Sequence, residues 1–313
     1  MSRLCIDSPH LSTAKLIDRL QFSKGTKAKG ETQSEWETSA KFEIGAYVAR
    51  RPWKPFQDLT DSDSYVEFRL GASFETIGLI KIPESVVDSI GPHQTGFTKI
   101  GARKLTNETR EIFINQLQSF LKNETPWSLD SHLPDGILYN ISPGRRANTT
   151  MCSVTRSHVG LHLDCFDCLP ARERWKGSSR ICINLGVSAR FFQFLPVLAF
   201  QMPDLLQPGK LPNDGPYEPL PNKLARAFME KFPHVPALRL RLEPGEAYLA
   251  PTENVIHDGC AETGTPDTTL TVRGVFQNVC DQSMASKKAD LSNTMIYSDP
   301  AALSIIHRSK NAF

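Results

Sequence analysis

The spacing of apolar residues changes character along the chain. Through the first sixty positions it follows neither a helical nor a strand period, and Lys24–Ser39 is a polar, charged, Gly-containing run that predicts a surface segment. β-branched and aromatic residues then concentrate at Tyr65–Leu70 and Thr76–Ile82, and both stretches predict strands. One stretch has a helical period, from Asn107 to about Asn123. Asn107 is placed to cap it, and Ile112, Phe113, Leu117, Phe120 and Leu121 fall on one face. A single apolar stripe has to be covered, and the outside of a sheet is the expected partner.

From about Gly136 the texture becomes short apolar runs separated by turn residues. Strands are predicted at Ile137–Ile141, Thr149–Thr155, His158–Asp164, Ile181–Val187 and Phe191–Pro196. A second group follows at Leu238–Leu242, Ala247–Ala250, Asn254–Ile256 and Thr269–Gln277. Eight or nine short strands is the number expected of an antiparallel sandwich or jelly roll, so the fold class is mainly β with flanking helices. Between the groups, Gln201–Pro236 holds eight of the 22 prolines and one short helix near Leu224–Phe232. An insertion of this length between strands reads as a lid, near 197–236. No repeat and no shift of composition divides the chain. It reads as a single catalytic domain over 1–313: an α/β N-terminal extension (1–135), a jelly-roll core (136–280) and a tail (281–313).

Composition narrows the function. Of 313 residues, 40% are hydrophobic and 22% charged, enough apolar material for a core and unlike a disordered or fibrous chain. Lys and Arg number 36 against 34 Asp and Glu, a net charge of +2 that supplies no broad basic field for nucleic acid. No apolar run reaches the roughly 18 residues of a membrane span, and Met1–Asp7 has no continuous apolar segment of the secretory kind. Seven scattered cysteines make a poor disulfide framework and suit a reducing compartment, so a cytoplasmic protein is expected. Cys165 and Cys168 form a lone C-x-x-C without a second ligand pair, and read as free thiols in a loop.

Three segments carry candidate chemistry. His162-Leu163-Asp164 is an H-x-D, and on a strand residues two apart share a face, so imidazole and carboxylate stand together. About 95 residues later, Pro244-Gly245 makes a turn, Glu246–Ala250 a strand and Pro251 a stop, which delivers His257 near the start of the next strand. Two His and one carboxylate on one side of a metal leave its other positions open, the arrangement of non-haem Fe(II) oxygenases. Arg273 lies 16 residues after His257 in the alternating strand Thr269–Phe276, with no acid nearby in that strand, so its partner is open to being a ligand. Asn184, a polar group among apolar neighbours, is a candidate either to bond a cosubstrate or to be satisfied by backbone. His158 shares a face with His162 and reads mainly as structural. Trp175, Arg190 and Thr149–Arg156 are candidates to line a pocket.

In this order, H-x-D, then a distal His in a Pro-Gly…Pro…His setting, then Arg on the following strand, the sequence resembles the Fe(II)- and 2-oxoglutarate-dependent oxygenases over roughly residues 136–280. The resemblance implies a double-stranded β-helix, a jelly-roll barrel of cupin-like type. It implies that His162, Asp164 and His257 bind Fe(II) and that Arg273 pairs with the distal carboxylate of 2-oxoglutarate, with O2 as the third reactant. Arg273 is followed by Gly274-Val275 rather than the Arg-x-Ser of plant-type and penicillin-synthase-like members. The position six residues on is Val279 instead of the second Arg of the nucleic-acid-dealkylating branch. Asp164 stands where halogenating members carry a small residue, which favours hydroxylation or a related oxidation. The expected activity is oxidation of a C–H bond in a small molecule, such as an amino acid or a natural-product intermediate, with release of succinate and CO2. Two rivals fit the same residues: a cupin-type metalloenzyme in which Arg273 binds substrate directly, and a jelly-roll binding module without iron. No heptad or apolar stripe marks an oligomeric state.

Overall fold

The computed structural model describes residues 4–29, 41–59, 66–68, 75–90, 101–103, 105–206 and 221–278. In chain order the first elements are β1 (Leu4–Asp7), α1 (Thr13–Ile17), β2 (Leu20–Ser23), β3 (Thr26–Ala28), β4 (Tyr47–Ala49), β5 (Lys54–Pro55), β6 (Val66–Phe68), β7 (Thr76–Lys81), α2 (Glu84–Asp88) and β8 (Gly101–Arg103). There follow α3 (Asn107–Glu124), β9 (Trp127–Ser142), β10 (Ser179–Asn184), β11 (Arg190–Leu198), α4 (Met202–Leu206) and α5 (Pro221–Lys231). The last strands are β12 (Ala237–Leu242), β13 (Glu246–Ala250), β14 (Val255–Cys260) and β15 (Asp267–Asn278). Residues 207–220 of the expected lid, residues 30–39 of the polar run and the tail 281–313 lie outside the described residues.

Two sheets face each other. The larger has the order β6-β1-β7-β13-β10-β15-β9-β8, the smaller β14-β11-β12-β2-β5. From β10 onwards the chain passes back and forth between them: β10 in the larger, β11 and β12 in the smaller, β13 in the larger, β14 in the smaller, β15 in the larger. That alternation is the jelly-roll winding, and the core of the chain is mainly β as expected. Between the sheets Phe192, Phe194, Leu238 and Leu240 meet Cys182, Tyr248 and Ala250. The opposite face of the larger sheet presents Ile137, Tyr139, Ile181, Ile183, Leu270 and Val272, and α3 covers it with Phe113, Ile114, Leu117, Phe120 and Leu121. The helix thus packs where its stripe predicts, with two local corrections. Thr106 is the cap, accepting from the Thr109 N–H, and Ile112 is exposed while Ile114 is buried in its stead.

Other expectations are corrected by the topology. Thr149–Thr155 and His158–Asp164 are not strands; they carry only the isolated bridges Phe42↔His158, Met151↔His158 and His162↔His257. The reason is local, since Gly160 adopts a left-handed φ of 78° in the middle of the second run. N-terminal strands join the same two sheets. Strands β1, β6 and β7 extend the larger sheet, β2 and β5 extend the smaller, and Leu4, Ile6, Leu20 and Phe22 are buried in the shared interior. Within the polar run, Thr26–Ala28 pairs with β4. The outer side of the smaller sheet is closed by α5, whose Leu224, Ala225, Phe228 and Met229 pack with Leu161, Leu163, Leu195 and Ile256. Among the described residues no helix is long and apolar enough to cross a membrane.

Candidate metal centre

Backbone hydrogen bonds place the ligand-bearing segments. His162 and His257 form an antiparallel bridge in which the N–H of each donates to the carbonyl of the other, at 3.0 and 2.8 Å. Two residues on, the Asp164 N–H donates to the Thr252 carbonyl at 3.1 Å. The H-x-D segment therefore runs beside 252–257 without being a regular strand. Leu161 and Leu163 turn into the apolar cluster under α5, and His162 and Asp164 turn the other way. The separation into two faces that the sequence predicts holds even though the element does not.

The imidazoles are oriented by their second nitrogens. Nδ1 of His162 lies 2.8 Å from the Gly160 carbonyl, and Nδ1 of His257 lies 2.9 Å from the Val255 carbonyl. A carbonyl only accepts, so each Nδ1 carries the hydrogen and each Nε2 turns inward. Gly160 is required here, because a Cβ at this position would stand 2.4 Å from the Tyr47 carbonyl oxygen. The two rings are 4.7 Å apart between centroids. One ligand atom each from His162, Asp164 and His257 lies within 4.8 Å of the others, and all three residues are buried. Nε2 of His257 has no hydrogen-bond partner among the described residues. A buried lone pair without a donor, beside a second imidazole and a carboxylate, is the environment that a divalent first-row metal satisfies. The residues present fit iron.

Charge sharpens the picture. Burial works against ionisation of Asp164, but the Arg180 guanidinium, 2.6 Å away, and the two histidines hold its carboxyl well below the usual carboxylate range. Burial pushes His257 down to about 3, so it stays neutral. Burial also opposes the charged form of His162, yet the adjoining Asp164 and the nearby Asp258 raise its pKa, so a metal at this site displaces a proton that His162 otherwise attracts.

Arg273 lies directly across from Arg180 in the β10–β15 pair. Its Nε and Nη1 are buried without hydrogen-bond partners among the described residues, and its Cζ sits 4.0 Å from the centroid of the Phe166 ring. Like charges directly opposite one another are unfavourable. Asp164 neutralises Arg180, and Arg273 is left facing the site in need of an anion. Phe192 stacks on Tyr248 at 4.0 Å and lies 5.6 Å from His257, forming an aromatic wall beside that imidazole.

Of the other candidates, Asn184 is taken up by backbone. Its Nδ2 donates to the Ser188 and Leu242 carbonyls at 2.9 and 3.2 Å, and its Oδ1 accepts from Gly186 at 3.0 Å. It closes the turn between β10 and β11, and no donor of its amide is left for a cosubstrate. Arg190 is buried against Asp267 at 3.0 Å and donates to Cys182 Sγ at 3.1 Å. His158 pairs through its backbone with Lys41 and Glu43 and packs on Phe42, a structural place. Cys165 and Cys168 are exposed free thiols.

Two arginines were not singled out by the sequence. Arg180 carries the same signal as Arg273, a charge in a half-buried strand. Arg174 lies in a 3-10 turn and has no such signal. Its Nη1 donates to the Asp164 carbonyl at 2.9 Å and the Glu253 carbonyl at 2.7 Å, tying the two ligand-bearing loops together. Glu253 completes the tie by accepting the Phe166 N–H at 2.7 Å.

The sequence matches no family model and no curated protein. Among solved structures the chain is similar to the apo form of the Kdo hydroxylase KdoO, a non-heme Fe(II) alphaketoglutarate-dependent dioxygenase, at 12% identity over 64% of this chain and 79% of that one, with a TM-score of 0.36. It is similar to the complex of the same hydroxylase with alphaketoglutarate and Fe(III) at 12% identity over the same shares, with a TM-score of 0.35.

Proposed function

We propose that the protein is an Fe(II)- and 2-oxoglutarate-dependent dioxygenase that hydroxylates a C–H bond of a small molecule, such as an amino acid or a natural-product intermediate, releasing succinate and CO2. The observation that carries this reading is the convergence of His162, Asp164 and His257 on one buried point, with the unpartnered guanidinium of Arg273 on the same face. Three protein donors leave the other positions of a metal open, as a centre that must accept a chelating keto acid and dioxygen requires. Bound iron supplies the redox chemistry that no side chain here possesses.

The chain's own residues bind and orient. His162 and His257 present Nε2, and Asp164 contributes the negative charge. The fork of Arg273 suits the distal carboxylate of 2-oxoglutarate in bidentate fashion. Phe166 lies over Arg273, and Phe192 and Tyr248 keep the side near His257 apolar, which limits water at the reacting atoms. The six described cysteines are free thiols, which supports a cytoplasmic setting.

Anaerobic titration with Fe(II) and 2-oxoglutarate, followed by ultraviolet-visible absorption, tests the reading. A weak metal-to-ligand charge-transfer band is expected only when both are present, and succinate release then serves to screen substrates. Iron binding without the band favours a metalloenzyme that uses no 2-oxoglutarate, and no iron binding leaves a jelly-roll binder.

A further inference from the structure

The C-x-x-C of Cys165 and Cys168 has no part in the metal centre, yet the fold brings its two sulfurs together on the surface. Both residues are exposed. Sγ of Cys168 lies 3.8 Å from the Cys165 carbonyl oxygen, and the two thiols are hydrogen-bond partners of one another. The other described cysteines are placed differently: Cys5, Cys182 and Cys260 are buried, and Cys152 is half-buried. We propose that Cys165 and Cys168 form a modification site, a dithiol that a hydroperoxide converts reversibly to a disulfide, and that the disulfide clamps the loop holding Phe166 over Arg273.

The backbone around the pair is held independently of the sulfurs. The Phe166 and Asp167 N–H groups both donate to Glu253 Oε1, at 2.7 and 3.4 Å. Asp167 Oδ2 accepts the Ser178 N–H at 2.5 Å, and Arg174 Nη1 holds the Asp164 carbonyl at 2.9 Å. Cys168 adopts a left-handed φ of 51°, a backbone that residues other than Gly take up rarely, and its side chain returns towards Cys165. A disulfide needs its two Cβ atoms about 3.5–4.5 Å apart. Thiols already in contact on an anchored loop reach that spacing by local adjustment, with the rest of the fold left in place.

With hydrogen peroxide as the oxidant, the S–S bond forms while two S–H bonds and the peroxide O–O bond break. The thiols give up two electrons; the peroxide takes them with both protons and leaves as two molecules of water. Exchange with a small dithiol reverses the step, the reagent becoming the disulfide. The ring so closed contains Phe166 and Asp167. Phe166 is more than half exposed and its ring lies 4.0 Å from Arg273 Cζ, so it is the outer cover of that guanidinium. Closing a four-residue loop removes chain freedom from its opened state, and the cover is then displaced less often. Arg273 enters only as a guanidinium, so the inference holds whichever anion it takes.

The full chain, metal-free, is titrated with hydrogen peroxide, quenched with an alkylating reagent, digested and weighed. The peptide carrying Cys165 and Cys168 is expected to lose the mass of two hydrogens before Cys152 is modified, and dithiothreitol is expected to restore it. Phenylarsine oxide, which bridges paired thiols, is expected to protect the pair from oxidation. Separate oxidation of the two thiols to sulfinic acids overturns the site, and so does a disulfide to Cys152 or between two chains. Cys168→Ser is expected to lose both the disulfide and the arsenical, and arsenical binding equal to wild type overturns the pairing. Hydrogen exchange then reads the clamp in wild type. The Phe166 and Asp167 amides are expected to exchange roughly 20-fold more slowly in the disulfide form, the worth of closing so short a loop. Unchanged or faster exchange overturns the clamp. No metal takes part, so the outcome stands apart from that of the Fe(II) titration.

Discussion

Replacing Arg174 by Met removes the guanidinium that ties the Asp164 loop to the Glu253 loop while keeping most of the apolar stem. Arg174 is buried, and its Nη1 serves two carbonyls, at 2.9 and 2.7 Å, with the Glu253 carboxylate 3.5 Å away. Breaking one side of a buried charged arrangement costs about 3–5 kcal/mol. Glu253 retains its bond from the Phe166 N–H, so the lower part of that range, about 3–4 kcal/mol, is expected here. For a chain of this size that corresponds to a fall in Tm of roughly 6–8 °C, at about 2 °C per kcal/mol. The loss should depend on pH. Burial raises the pKa of Glu253 against the lowering pull of the Phe166 N–H and Arg174. Between its unfolded pKa, about 4.3, and its raised folded one, Glu253 binds more protons folded than unfolded, so stability falls as pH rises through that window. Removing Arg174 extends the window upward, and the penalty of Arg174→Met grows from mildly acid to mildly alkaline pH. Thermal unfolding of metal-free wild type and variant at both pH values measures it. A penalty below about 1 kcal/mol, or one that shrinks as pH rises, refutes the reasoning.

Asp164→Ala is expected to abolish stoichiometric Fe(II) binding by metal analysis; iron retained at one equivalent would contradict the centre. Arg273→Ala should raise the 2-oxoglutarate requirement by roughly 10- to 100-fold, the worth of a charged bidentate contact. Fe(II) affinity should stay nearly the same, and an equal loss of both would indicate misfolding instead. Asn184→Ala is expected to cost about 1–3 kcal/mol of stability by releasing the Ser188 and Leu242 carbonyls. The KM for 2-oxoglutarate should not change in that variant, and a selective rise would return Asn184 to the cosubstrate. Gly160→Ala forces a side chain into left-handed backbone against the Tyr47 carbonyl, at about 1–3 kcal/mol. It should weaken Mn(II) binding as well, since the Gly160 carbonyl orients His162; intact binding would show the turn to be dispensable.

What could be read from the residues alone was what depends on near neighbours. The stripe of α3, the strands β10–β15 and the turn at Pro244-Gly245 follow from local spacing and turn chemistry. So does the pairing of His162 with Asp164, because residues two apart share a face in any extended backbone. The order His162, Asp164, His257, Arg273 was visible for the same reason: each sits in a short segment whose pattern is complete in itself.

Only the tertiary structure decided which distant segments meet. Strand β1 is four residues long and wholly buried, too short to show a period, and its place in the larger sheet depends on pairing with β6 and β7. Asn184 was ambiguous until the Leu242 carbonyl, far along the chain, took its amide. Arg180 gained meaning when the β10–β15 register set it opposite Arg273 and the loop carrying Asp164 came to lie beside it. Arg174 gained meaning when two loops converged on its guanidinium. Register and loop convergence are settled by the free energy of the whole fold, summed over contacts between residues remote in sequence, and so no local pattern records them.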